Sequence, residues 1–224
     1  MQATDDTLFP LHEAIENYKA LKANGVPVQM MWFCGGLTGG PAAHGICNAP
    51  MGPDPDIDVN YALRWLDHYV KGTGEPVGPK FSWISDAGTL WRASDYPVEE
   101  GSPVTASGSG TLLTTLGDTS GALIAATPAL NAVNVTIPTP QVGTQLLGEP
   151  TLKLDYSGTA VDSDGRAYAQ IVDNEANLVL GNQVTPIPLT LDGSTHTATV
   201  KLEGIAADVA DGKSCKLLNV AATT

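Results

Sequence analysis

The chain has 224 residues, 42% of them hydrophobic and 16% charged, a balance that suits a folded protein with one large core or two small ones. Its 24 acidic against 11 basic side chains give a formal net charge of −13, and the bases are scattered, with no Lys/Arg cluster and no interleaved aromatics. Such a surface repels a phosphate backbone or an anionic membrane, so neither nucleic acid nor membrane is an expected partner. No stretch reaches the roughly 20 apolar residues of a membrane span, and the first residues lack the basic start and apolar run of a signal peptide.

In chain order, Leu11, Ala14, Ile15, Tyr18 and Leu21 fall at helical spacing between Pro10 and Gly25, which predicts an amphipathic helix over 11–23. Val28 to Cys34 is a short apolar run stopped by Gly35 and Gly36, the pattern of a buried strand in a helix-covered sheet. A Gly/Pro-rich loop follows over 35–55. A second helix is expected from about Asp58 to Lys71, with Val59, Leu63, Leu66 and Val70 on one face and Gly72 as its stop. Helix, strand, long loop and helix form the close of an α/β unit.

Beyond the linker from Gly72 to Pro79 the helical period disappears, and Thr, Val, Gly and Pro dominate. Strands are expected over 80–85, 110–115, 148–156, 166–172, 183–191 and 196–202. Turn residues suggest hairpins at Asp155 to Gly165 and at Leu191 to Ser194, and residues 115–142 read mostly as loop. The fold class that results is α/β followed by all-β: the C-terminal remnant of an α/β domain over 1–78, then a β-sandwich or jelly roll over 79–224.

Three cysteines, Cys34, Cys47 and Cys215, form no C-x-x-C and have no histidine at metal-ligand spacing, so no metal or other cofactor is expected. Cys34 and Cys47 bracket the Gly-rich loop that holds His44. A disulfide between them would stiffen the loop and favour an oxidising, extracytoplasmic compartment; two unpaired thiols fit the sequence equally.

Asp5 and Asp6 stand just ahead of the first helix, and His44 stands in the loop after the following strand. In an open α/β sheet the loops beyond the carboxyl ends of the strands gather at one edge, which brings carboxylate and imidazole together. A carboxylate that accepts the imidazole N–H fixes its tautomer and stabilises the imidazolium formed when the other nitrogen takes a proton from a nucleophile. Asp5 reads as an end-of-strand or capping residue. Where such sites carry a serine on a Gly-x-Ser-x-Gly elbow, the chain order is serine, acid, histidine, so an acid at position 6 leaves the nucleophile upstream of this chain. Ser109 and Ser120 lack glycine at both −2 and +2 and read as turn residues. His12 and His68 read as ordinary helix residues and His196 as a solvent-facing strand residue.

The wording of these segments is itself informative. Gln2-Ala-Thr-Asp-Asp-Thr-Leu-Phe-Pro10, followed by Asn17-Tyr-Lys-Ala-Leu21, resembles the acid-bearing segment of the X-prolyl dipeptidyl-peptidase and cocaine-esterase type of hydrolase. Gln29 to Gly36 with Ala43-His-Gly45 resembles the segment presenting the histidine, and Arg64 to Gly72 the helix that closes the catalytic domain. Pro79 to Trp83, Leu90-Trp91 and Asp95-Tyr-Pro97 resemble the opening of the family's C-terminal domain. Ala3 and Ala43 stand where the family has glycine, and the loop from Leu37 to Ala43 is longer than usual.

The resemblance implies an α/β-hydrolase domain followed by a galactose-binding-like jelly roll, with ester or X-Pro peptide and amide hydrolysis through a Ser-Asp-His triad. Asp6 would be its acid and His44 its base. The chain would then be the C-terminal part of a serine hydrolase, inert alone. Its partner would be the N-terminal part carrying the serine, or a second copy of itself, and its substrate a small ester or peptide. The competing class is a non-catalytic β-sandwich binding module, with Trp83, Trp91 and Tyr96 as an aromatic platform for a carbohydrate or a partner protein; the reading preferred for these aromatics is that they pack the sandwich core or its interface with the catalytic part.

Overall fold

A computed structural model describes residues 1–34, 56–112, 128–129, 131–209 and 216–223, the last eight through their backbone. Among the described residues the chain is mostly sheet, with two α-helices, neither long and apolar enough to cross a membrane.

The first sheet holds β1 (Gln2–Ala3), β2 (Met30–Phe33), β3 (Phe81–Ile84) and β4 (Leu90–Ala93), side by side in that order. β1, β2 and β3 run parallel, with Gln2 opposite Trp32 and Met30 opposite Phe81, and β4 returns antiparallel. Parallel neighbours need long crossovers. Here α1 (Leu11–Ala23) links β1 to β2, and α2 (Ile57–Tyr69) lies between β2 and β3. β3 and β4, which lie beyond the Gly/Pro linker, hydrogen-bond into this same sheet.

Leu11, Ile15 and Tyr18 bury the inner stripe of α1, as their spacing predicts. The helix ends where Gly25 takes φ +69° and donates its N–H to Lys22 O at 3.0 Å, a left-handed stop that costs glycine nothing. This stripe meets Met30, Trp32, Phe81, Trp83 and Tyr96 in one core. Trp32 lies 4.8 Å from Phe81 and 5.4 Å from Tyr96, ring centre to ring centre. Trp83 and Tyr96 are therefore interior, and the surface platform of three aromatics does not exist; Trp91 alone of the three is exposed.

The stripe on α2 falls the other way. Val59, Leu63, Leu66 and Val70 are 52, 50, 44 and 68% exposed, while Ile57 and the half-buried Tyr61 face the sheet beside Met31, Cys34 and Ile84. Periodicity located an apolar face here without settling what covers it.

The β-rich part contains β5 (Ala132–Thr136), β6 (Gln145–Gly148), β7 (Thr151–Asp173), β8 (Leu178–Val179), β9 (Thr185–Lys201), β10 (Ile205–Asp208) and β11 (Lys216–Thr223). β7 is flanked by β11 along 166–173, by β9 along 151–169 and by β8 near its end. β6 pairs with β10. β5 falls in the region expected to be loop, and residues 110–112 form no strand; positions 113–115 lie outside the described residues.

The expected strands 148–156 and 166–172 are one strand, as are 183–191 and 196–202. The two predicted hairpin turns face each other across the ribbon as register shifts between Ser157, Thr159 and Asp164, with Ser163 at φ 57° and Gly193 at φ 90°. Turn residues that meet opposite turn residues make a bulge rather than two reversals. The reversal lies after β7, where Asp173 Oδ1 accepts the N–H groups of Glu175 and Ala176 at 3.0 and 3.2 Å.

A second core joins Ala167, Ala169, Ile171, Leu180, Ile187, Leu202, Ile205 and Ala207. Replacing Ile187, which is fully buried, with alanine should cost about 2–5 kcal/mol in urea unfolding. The same measurement on Val161→Ala, at a fully exposed position of the bulge, should stay within about 0.5 kcal/mol of wild type.

Candidate functional site

β1 is two residues long, and the chain leaves it through Thr4, Asp5 and Asp6. The Thr4 N–H donates to Phe33 O at 2.9 Å, so the turn begins at the carboxyl end of the parallel strands, where open α/β sheets assemble their sites. Both acids are buried, Asp5 at 3% and Asp6 at 5% exposure. Asp6 Oδ1 accepts the N–H groups of Leu8 and Phe9 at 2.9 and 3.0 Å. This Asx-type turn fixes the carboxylate against its own backbone. His44, its expected partner, lies outside the described residues. Cys34, at the end of β2, is buried and disulfide-bonded; Cys47, the expected other half of that bridge, also lies outside the described residues.

The β-rich part closes over this turn. The 3-10 turn Leu180–Asn182 presses Gly181 onto it with φ 63°, and a Cβ at Gly181 would stand 2.9 Å from Thr4 O. Gln183 Nε2 donates to the main-chain oxygen of Asp6 at 2.5 Å. From a third direction comes Asp86, in the bend after β3. Its N–H donates to Ala206 O at 3.1 Å, and its Oδ1 accepts the Asp208 N–H at 2.8 Å. Thr4, Asp5, Cys34, Asp86, Gly181 and Ala206 are among the residues around a cavity of about 20 Å³, room for a single water.

Asp5 is the unusual member. Its Oδ1 accepts the Thr4 hydroxyl at 3.3 Å, and its Oδ2 has no hydrogen-bond partner among the described residues. Burial pushes its carboxyl up to about 7; the Thr4 hydroxyl opposes this, and the negative charge of Asp86 adds to it. Reading Asp5 as an ordinary cap missed this, because Asp86 is distant in sequence and nothing in its local pattern marks it. Gln183 was missed for the same reason.

A second link between the parts involves His12, read from sequence as an unremarkable helix residue. Its Nδ1 lies 2.8 Å from Glu149 Oε1, and the ammonium groups of Lys19 and Lys201 stand 3.4 and 3.5 Å from Glu149 Oε2. Burial favours protonating Glu149, but the bond from His12 and the two lysines outweigh it and hold the carboxyl below its usual range.

No protein-family model matches this chain, and no curated protein does. Its backbone superimposes on an aminopeptidase from the marine sediment archaeon Thaumarchaeota archaeon with a TM-score of 0.62 at 12% identity, over 99% of this chain and 46% of that one. The chain has the fold of part of that aminopeptidase. A CocE/NonD family hydrolase from Staphylococcus aureus superimposes with a TM-score of 0.48 at 14% identity, over 74% of this chain and 38% of that one. The chain thus spans less than half the length of each hydrolase.

Two outcomes follow from the closed turn. Gly181→Ala should lower stability by about 1–3 kcal/mol in urea unfolding, since its φ and the Thr4 oxygen both oppose a side chain. The Asp5 carboxyl is raised in the folded chain, so that chain holds a proton which the unfolded chain releases between about pH 4 and 7. Asp5 therefore favours folding at acid pH, and that contribution is lost as pH rises through 7. Asp5→Asn should accordingly gain in thermal midpoint relative to wild type on going from pH 4 to pH 8, by on the order of 5 °C. A difference independent of pH would contradict the assignment.

Proposed function

We propose that this chain is the C-terminal part of a serine hydrolase of the X-prolyl dipeptidyl-peptidase and cocaine-esterase type, with Asp6 as triad acid and His44 as base. The observation that carries this reading is the placement of Asp6: buried at the carboxyl end of a parallel strand and held by the Leu8 and Phe9 amides. A carboxylate anchored through one oxygen can offer the other to an imidazole N–H. His44 would take the proton of a serine as it attacks an ester or amide carbonyl, and Asp6 would stabilise the resulting imidazolium. The substrate class is a small ester or an X-Pro peptide.

In this reading the nucleophile lies upstream, residues 1–78 together with β3 and β4 complete an α/β-hydrolase sheet, and the β-rich part beyond them forms its jelly-roll domain. Supporting this, β1 stands at a sheet edge, and beside it Met1, Leu21, Val28, Met31, Trp65 and Leu66 help line an apolar groove of about 530 Å³. Leu66 belongs both to this groove and to the outward apolar stripe of α2, and an apolar face beside a strand edge is the kind of surface a partner covers. The upstream part of the same hydrolase is the partner proposed for it, with self-association as the alternative occupant.

A fluorophosphonate probe tests this on the chain as it occurs in its source. It should label a serine on a polypeptide continuous with this chain or bound to it in native mass spectrometry, and the isolated 224 residues should stay unlabelled. Asp6→Asn and His44→Ala should each lower kcat of that assembly by roughly 10³–10⁴-fold with little change in thermal midpoint. Full activity in both variants would sink the triad assignment.

A further inference from the structure

The acid turn has little structure of its own. The β1–β2 ladder ends with the bond from Thr4 to Phe33, and α1 does not begin until Leu11. Between them, Asp6 bonds to the Leu8 and Phe9 amides inside the same turn, a contact that shapes the turn without tying it to anything else.

Gln2 Nε2, on β1, donates to Phe9 O at 2.6 Å and holds the far end of the turn; what ties it at Asp6 is Gln183. This residue is 7% exposed, and its side chain meets the turn across a separation of 177 residues. Its approach is set by two successive left-handed residues, Gly181 at φ 63° and Asn182 at φ 51°, and by its own N–H, which donates to Leu180 O at 3.4 Å. Just beyond it, Thr185 Oγ1 accepts the Glu203 N–H at 2.9 Å, anchoring the start of β9. The Gln183 amide thus reaches the turn from a rigid base. Its acceptor is the carbonyl of the Asp6–Thr7 peptide, whose orientation sets where the Leu8 and Phe9 amides stand relative to the Asp6 carboxylate. A buried acceptor that loses its donor is costly, so this bond resists release.

We infer that Gln183 is a positioning residue for Asp6, through which the β-rich part sets the geometry of the hydrolytic site. This rests on the reading of Asp6 as the triad acid. It makes the β-rich part a component of the site, although none of its side chains reacts.

The test is made on the whole 224-residue chain by NMR, with two readouts: hydrogen exchange at the Leu8 and Phe9 amides, and the pH titration of the His44 ring. Gln183→Leu should speed exchange at Leu8 and Phe9 by about tenfold, leave the β7 and β9 amides within about twofold of wild type, and move the His44 midpoint toward that of Asp6→Asn. Gln183→Glu can donate only when its carboxyl is protonated, so it should behave like Gln183→Leu at neutral pH and recover protection as pH falls. It serves as the decisive variant if Gln183→Leu does not fold.

Unchanged exchange at Leu8 and Phe9, or a rise shared equally by every amide, would overturn the inference. The two readings fail separately. If Asp6→Asn leaves the His44 titration where it was, the triad reading falls whatever Gln183 does. If Asp6→Asn shifts that titration and neither Gln183 variant does, only the positioning role falls.

Discussion

Gly181 against the Thr4 carbonyl and the Gln183 amide on the Asp6 carbonyl form the contact around which the molecule is organised. A strand of two residues, with the Gln2 amide on Phe9 O as its one reach into the seven-residue turn, leaves Asp6 to be fixed from elsewhere, since fixing each residue costs about 1–2 kcal/mol of backbone entropy. The β-rich part supplies what the short strand lacks. It reaches the turn only because β6 and β10 are themselves seated on the first sheet. Leu147 and Ala206 pack against the core of Trp32 and Phe81. Trp83 Nε1 donates to Gln145, Gln145 to Asp208, and the Ser85 hydroxyl to the other oxygen of Asp208. β3 is therefore both a strand of the α/β sheet and the floor on which the second part rests.

Acids in different parts of the structure are handled in opposite ways. Asp95 accepts the Tyr18 hydroxyl at 2.6 Å and lies 2.9 Å from Lys22 Nζ, and these two bonds in that order lower its carboxyl to about 2. Its contribution is present above about pH 4 and fades as pH falls toward 2. Asp5 has no such partners and is pushed upward, and burial likewise raises Glu203. Both favour folding on the acid side and lose that contribution as pH rises. Paired acids such as Asp95 and Glu149 and desolvated ones such as Asp5 and Glu203 thus bound the pH range of best stability from opposite ends.

How much of this was legible in the sequence follows from the range over which each contact acts. The inner stripe of α1 and the strand Met30–Phe33 are local patterns and were readable as such. The second helix was readable too, but the direction its stripe faces depends on what covers it, which no spacing encodes. Asp162 to Gly165 and Asp192-Gly193 carry good turn chemistry. They become bulges only because they lie opposite one another, a fact about pairing rather than propensity. Asp5 and Asp6 could be noticed because they stand just ahead of a helix start, and Asp6 is preferred on the resemblance of Gln2 to Pro10 to an acid-bearing segment. Asp86, Gln183 and the His12–Glu149 pair could not, because each acquires meaning from a partner at least 80 residues away. The aromatics were ambiguous for a related reason, since burial of Trp83 and Tyr96 is decided by the helix and strands packed over them.

A triad acid must be held to within a fraction of an ångström to orient an imidazole usefully, because catalytic gains from positioning are lost steeply with displacement. A carboxylate fixed only by amides of its own turn moves whenever the turn moves, so those bonds alone cannot supply that precision. An external hold on the turn's backbone can, provided it comes from a rigid element and leaves the carboxylate free to face its partner. Gln183 meets both conditions: it grips a carbonyl rather than the carboxylate, from a loop pinned by two left-handed residues and anchored at β9. On the proposed reading, a β-rich domain attached to a hydrolase is then explained without any ligand of its own. It is the wall against which the acid turn is set, and the small left-handed turn at Gly181 is the point where that wall comes close enough to act.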